Sequence, residues 1–181
     1  MGRFFNRALR AAKLDLSLFE EVMADAKAMT QTIFVVFLYA AAVAYGSFAW
    51  AGVAVINSAI VITLVGWYAW AFSIYFAGVR LFPEAKTTVD RKAFMRAVGF
   101  ASSPGWLRLL GFLPGIGGIL FAGTSIWMIV AAIVAAKKAL NFQSTYRVAT
   151  ITVACWILSM LFQVLMYIII FSAFGVSKPE F

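Results

Sequence analysis

Five long apolar stretches, none holding an Asp or Glu, with Lys and Arg gathered between them, set the course of this chain. A helix crosses the hydrocarbon core of a bilayer with about 20 predominantly apolar residues. Residues 32–53, 55–78 and 149–174 reach that length, and 116–136 carries no charge before Lys137 and Lys138. Residues 97–113 are shorter, hold Arg108 and are interrupted at Pro104-Gly105. Hydropathy therefore leaves two readings of that segment, a crossing or a re-entrant loop. With 64% hydrophobic residues and a mean hydropathy of +0.95, a water-soluble domain of this size would expose more apolar surface than soluble monomers carry.

Charge separates the two readings. If 97–113 crosses, one face receives the N-terminal segment, the loop with Arg80, Lys86, Arg91, Lys92 and Arg96, and the loop with Lys137, Lys138 and Arg147. Only Lys178 and the tip of Arg108 fall on the other. A re-entrant segment would carry Lys137 and Lys138 to the opposite side, against the positive-inside tendency. The expected fold is therefore all-α: five transmembrane helices, N-terminus cytoplasmic and C-terminus outside. Residues 1–30 form an amphipathic cytoplasmic or interfacial lead-in, 31–175 one membrane domain and 176–181 a short outer tail. Because the first long apolar run begins only near Thr32, that span reads as an anchor and not as a cleaved signal. The outer connections, near Ala54 and at Pro114-Gly115, leave no room for an external domain. Trp50, Tyr75 and Trp106 are candidate interface markers.

The net charge of +8 flanks apolar spans, and no basic, aromatic-interleaved soluble domain is present to read bases, so anionic lipid headgroups at the cytoplasmic face are the expected partners and nucleic acid is not. Ahead of the first span, Phe5, Leu9, Ala12, Leu16, Phe19 and Met23 recur at steps of four and three, one face of a helix. Arg3, Arg7, Arg10 and Lys13 fall mostly elsewhere, so the segment suits the headgroup layer, apolar face sunk and cations near phosphates. Ser17 and Glu20 match a capping box, with a break near Asp15.

The residues that usually carry chemistry are missing. The chain has no histidine, and no cluster of Cys, Asp or Glu in the apolar spans suits a metal, so no metal, haem or other cofactor is expected. Ser102, Ser103, Thr124 and Ser125 have no base to activate them and are expected to bond to backbone or neighbouring helices, so no catalytic residue and no enzyme is expected. Cys155, beside Trp156, reads as a small hydrophobe. Arg108 is a charge inside a span, with no acid in any span to pair with. Snorkelling to the outer headgroups is the plain reading, and a lipid-phosphate or partner contact beside Pro104 the sharper one. Gly111 and Gly115 form a G-x-x-x-G step, followed by Gly117 and Gly118. Ala131, Ala132, Ala135 and Ala136 give small-x-x-x-small pairs, so close helix approach is expected there, within one chain or between chains.

Two stretches carry a resemblance. The first runs Arg7-Ala8-Leu9-Arg10-Ala11-Ala12-Lys13-Leu14-Asp15, then Phe19-Glu20-Glu21-Val22 and Ala24-Asp25. The second runs from Val98 through Ser102-Ser103-Pro104-Gly105-Trp106-Leu107-Arg108, then Pro114, Trp127 and Ala135-Ala136-Lys137-Lys138-Ala139-Leu140. Together they resemble prokaryotic membrane proteins of the Yip1 family, which implies a five-helix domain in the cytoplasmic (inner) membrane with no cofactor or catalytic residue. Eukaryotic members associate with Rab-type GTPases through longer cytosolic regions than the roughly thirty residues here, and Asn141 stands where many prokaryotic relatives carry an acid. The expected function is a membrane organiser, or an accessory or adaptor subunit of a membrane complex with a protein partner or self-association. A small transporter, channel or lipid-translocating protein is the other reading, with Asn57, Ser58, Thr63, Ser73, Thr152, Ser159 and Gln163 as its polar candidates.

Overall fold

A computed structural model describes residues 2–48, 52–85, 87 and 89–173. Trp50, Lys86, Lys178 and the tail at 176–181 lie outside the described residues. The described chain is helical: α1 (Gly2–Ala12), α2 (Leu16–Ala24), α3 (Ala28–Phe48), α4 (Val53–Phe76), α5 (Arg91–Phe100), α6 (Gly117–Leu140) and α7 (Thr145–Ala173). Four helical segments, Ala28–Phe48, Val53–Leu81, Gly117–Leu140 and Thr145–Ile170, are long and apolar enough to cross a membrane. The second of these includes a wider π turn at Ala77–Leu81 that closes α4, just ahead of Pro83, whose ring disfavours helical backbone in the residue before it.

The break after α1 falls where the sequence places it, but the cap differs. Leu14 adopts a positive φ of 62°, and Asp15, not Ser17, caps α2. The Asp15 carboxylate accepts from the Ser17 amide at 2.9 Å and the Ser17 hydroxyl at 2.7 Å.

The segment expected at 97–113 is not a continuous α-helix. It is α5 followed by a 3-10 helix at Ser103–Phe112, with Pro104 in the first turn, where a missing N–H costs nothing. Ten α residues at about 1.5 Å and ten 3-10 residues at about 2.0 Å extend roughly 35 Å. Three glycines lay this segment against α3. A Cβ at Gly99 would overlap the Thr32 methyl, one at Gly105 would stand 2.9 Å from Tyr39 Cε2, and one at Gly111 would stand 3.1 Å from the Gly46 carbonyl oxygen. The spacing is six residues on one side and seven on the other. From Gly105 to Gly111 two turns of 3-10 helix take about six residues and two turns of α-helix about seven, so the 3-10 helix stays in register with α3 there. The segment thus runs beside α3 from near its start to near its end, and Gly117 of α6 then meets the Gly111 carbonyl.

The core sits at the end where α2, α5 and α6 meet. Leu18, Phe19, Val22, Phe94, Phe100 and Leu140 are fully buried there, as are Ala131, Ala132, Ala135 and Ala136. These small residues let helices of one chain approach, so the alanine face is internal and not an outward-facing interface. Gly111 packs as expected, whereas Gly115 has φ +83° with nothing near its Cβ direction and serves the turn into α6. α7 is peripheral. It buries Val148, Ile151, Thr152, Cys155 and Ser159 along one stripe and exposes Ile157, Leu158, Leu161, Leu165 and Ile168.

Candidate functional site

Arg108 lies in the 3-10 segment where it passes between α3 and α6, and its side chain is 6% exposed. It does not snorkel. Its Nε donates to Thr124 Oγ1 at 2.8 Å, Nη2 to Ser125 Oγ at 2.6 Å and Nη1 to Tyr39 Oη at 3.3 Å. The guanidinium carbon sits 4.3 Å from the Phe121 ring centroid and 5.4 Å from that of Tyr39. Both hydroxyls on α6 also donate back to their own helix, Thr124 to Leu120 O at 2.6 Å and Ser125 to Phe121 O at 2.7 Å. The backbone bonding expected of them is therefore present, and their lone pairs still serve the arginine. None of these partners carries negative charge, and no Asp or Glu occurs between Asp25 and Glu84 or between Asp90 and Glu180.

Two cavities are lined in part by Arg108. One, of about 30 Å³, is walled by Tyr39, Gly66, Trp70, Ser125, Ser159 and Gln163 among others, room for one or two waters. The other is a cleft of about 380 Å³ between Gly46, Ser47, Gly111, Gly117, Gly118 and Phe121. At the far end of α3 a third, largely apolar groove of about 320 Å³ runs between Met29, Ile33, Val36, Leu64, Trp67 and Met95, with the exposed Arg91 and Lys92 at its rim.

The basic residues of the N-terminal segment divide. Arg3 and Lys13 are exposed. Arg7 is buried and binds Glu21 through Nε at 2.9 Å, Gln31 through Nη1 at 2.9 Å and Asp25 through Nη2 at 2.9 Å. Arg10 binds Asp15 at 2.8 Å, Glu21 at 2.7 Å and the Ser17 hydroxyl at 2.9 Å. Both therefore face carboxylates of α2 and its flanks, while Phe5, Leu9 and Leu16 point outward. Arg10 and Ser17 hold the Asp15 carboxyl at about 2, and Arg10 with Arg7 lowers Glu21. α1 is fastened to the bundle by Trp127 Nε1 donating to Ala12 O at 2.8 Å and by Phe4 stacking on Trp106 at 5.8 Å. Trp106 and Tyr75 are packing residues: Trp106 Nε1 donates to Val35 O at 3.1 Å, and Tyr75 lies against Phe94. Arg96 is buried and donates to Val22 O at 2.8 Å and to Met23 O, taking up carbonyls at the end of α2. Lys138 pairs with Glu20, and Lys137 donates to Thr145 Oγ1 at 2.6 Å.

Sequence reading missed the partners of Arg7, Arg96 and Arg108, all many residues distant. The glycines at 99, 105 and 111 were a usable signal, a six-residue spacing that fits no α-helical face. The class these observations define is, among the described residues, an all-helical protein with four helices long and apolar enough to span a bilayer. No protein-family model, characterised protein or solved structure matches the chain.

Proposed function

We propose that this is a non-enzymatic integral membrane protein, Yip1-like in plan, that binds anionic lipid at its cytoplasmic face and serves as a membrane organiser or accessory subunit. In this reading α5 and the 3-10 segment make a fifth, broken crossing, and the charge-rich end of the bundle faces the cytoplasm of a prokaryotic cell. The observation that carries it is the groove between α3, α4 and α5, apolar along its length and rimmed by Arg91 and Lys92. An acyl chain fits the first feature and a headgroup phosphate the second. The N-terminal pair supports the same reading through its outward Phe5 and Leu9 with Arg3 exposed beside them, an apolar surface and a cation of the kind a headgroup layer takes, while Arg7 and Arg10 are spent on acids within the chain.

A transporter has less support. Ser159 donates to Gly66 O at 2.9 Å, and Trp70 to Thr152 O at 3.3 Å, so these polar groups join α4 to α7, and the cavity beside them is of water size. The test is lipid carried through gentle detergent extraction of the whole protein, measured by mass spectrometry. Wild type retains phosphatidylglycerol over phosphatidylcholine, and Arg91→Ala with Lys92→Ala retains less of it than wild type; no preference in wild type, or none lost in the variant, refutes lipid binding at the groove. A protein partner retained in the same extraction assigns the accessory role.

A further inference from the structure

We infer that the cleft at the opposite end of α3 is a binding site for a phosphate-class anion, held between Arg108 and the N-terminus of α6. The donors are countable. A guanidinium has five N–H groups; Thr124, Ser125 and Tyr39 take one each, which leaves one on each terminal nitrogen, donors of the kind an oxyanion takes. The charge itself is unanswered, since hydroxyls and aromatic rings stabilise a cation without neutralising it and no carboxylate lies in α3 to α7 or the 3-10 segment.

The second half of the site is independent of the first. α6 is 24 residues long and starts at Gly117 with no side-chain cap from Ile116, so its first N–H groups have no intrahelical partner and carry the positive end of the helix dipole. Gly117 and Gly118 line the same cleft as Arg108. Nothing lies within 4 Å of a Cβ placed on Gly118, so a ligand can approach the backbone there. A cleft of about 380 Å³ admits a free phosphate or the head of an anionic phospholipid.

The lipid source rests on the membrane reading above; the free-anion source does not. The test uses full-length protein in neutral detergent and follows thermal unfolding with inorganic phosphate against chloride at equal ionic strength, and with phosphatidylglycerol against phosphatidylcholine. Stabilisation by phosphate identifies a free anion, and stabilisation by phosphatidylglycerol alone identifies a lipid headgroup. Two variants locate the effect. Arg108→Gln removes the charge, and Gly118→Asp places a carboxylate in the cleft, where the helix dipole and Arg108 both favour it. Each weakens the anion at least about tenfold, and Gly118→Asp does so while unfolding no lower than wild type. Arg91→Ala with Lys92→Ala, at the other end of the bundle, leaves the phosphate response intact, and the phosphatidylglycerol response of the cleft is read in that background so that the groove does not contribute. The inference is overturned if neither probe stabilises wild type, or if a folded Gly118→Asp or Arg108→Gln variant responds as wild type does. Vesicle insertion of the same proteins scores the membrane reading separately.

Discussion

Gly46→Ala tests whether the broken segment and α3 touch through backbone. A Cβ at Gly46 would overlap the carbonyl oxygen of Arg108 and stand 2.9 Å from its carbonyl carbon. Carbon and oxygen rest together at about 3.3–3.6 Å, so the two elements must part by more than about 1 Å. Neither side yields by rotating a side chain, because the opposing atoms are main chain and Arg108 is tied through Thr124, Ser125 and Tyr39. Overpacking of this kind costs about 1–3 kcal/mol, and the helix gains only about 0.5–1 kcal/mol when glycine becomes alanine. A net loss of about 1 kcal/mol, or roughly five-fold in the folded-to-unfolded ratio, is expected. Two controls share the chemistry without the contact. Gly66→Ala meets the flexible end of Gln163, and Gly118→Ala meets nothing, so both remain within about 0.5 kcal/mol of wild type or above it. Reversible unfolding in mixed micelles, followed by tryptophan fluorescence, measures all three. Gly46→Ala as stable as wild type, or less harmful than Gly66→Ala, would falsify the close backbone approach.

Acid should release the N-terminal pair first. Asp15, Glu21 and Asp25 sit below their ordinary values through Arg10 and Arg7; a lowered carboxylate stabilises the fold above its unfolded pKa and ceases to as pH falls through the folded one. Protection of residues 2–24 from hydrogen exchange therefore holds at neutral pH and declines from ordinary carboxylate pH down to about 2, the Asp15 value; unchanged protection across that window contradicts the ion-pair account. Arg96→Leu strips two carbonyls at the end of α2 of charged donors and costs about 3 kcal/mol, seen as protease cutting near Val22 and Met23 while α6 stays protected. Cys155, buried and free, resists a maleimide in folded protein and reacts on denaturation; prompt labelling of the native protein would place α7 away from α4.

The apolar spans and their ends were legible because hydropathy and charge are properties of neighbouring residues. The four long helices lie within a few residues of the stretches read at 32–53, 55–78, 116–136 and 149–174. The interruption at Pro104-Gly105 was legible too, and the six-residue spacing of Gly99, Gly105 and Gly111 was the one local trace of its 3-10 form, whose partner on α3 no local pattern records. Charge was the hardest to read. Arg7 is fourteen residues from Glu21 and Arg108 is sixty-nine from Tyr39, so folding alone decides that one meets acids and the other hydroxyls. The helical spacing of Phe5, Leu9 and Leu16 was visible, whereas the direction in which that face turns depended on where Arg7 found its carboxylates.

The 3-10 stretch at Ser103–Phe112 gives the bundle an adjustable strut. Rewinding ten residues from about 2.0 to 1.5 Å per residue shortens it by roughly 5 Å, with the same chain and no new tilt. The straight helices beside it have no such reserve and meet a thinner bilayer by leaning. If this segment is the fifth crossing proposed above, thickness mismatch is absorbed next to Arg108, where a change of pitch also rotates the guanidinium relative to α6. In that reading lipid chain length becomes a variable that acts on the cleft from a distance.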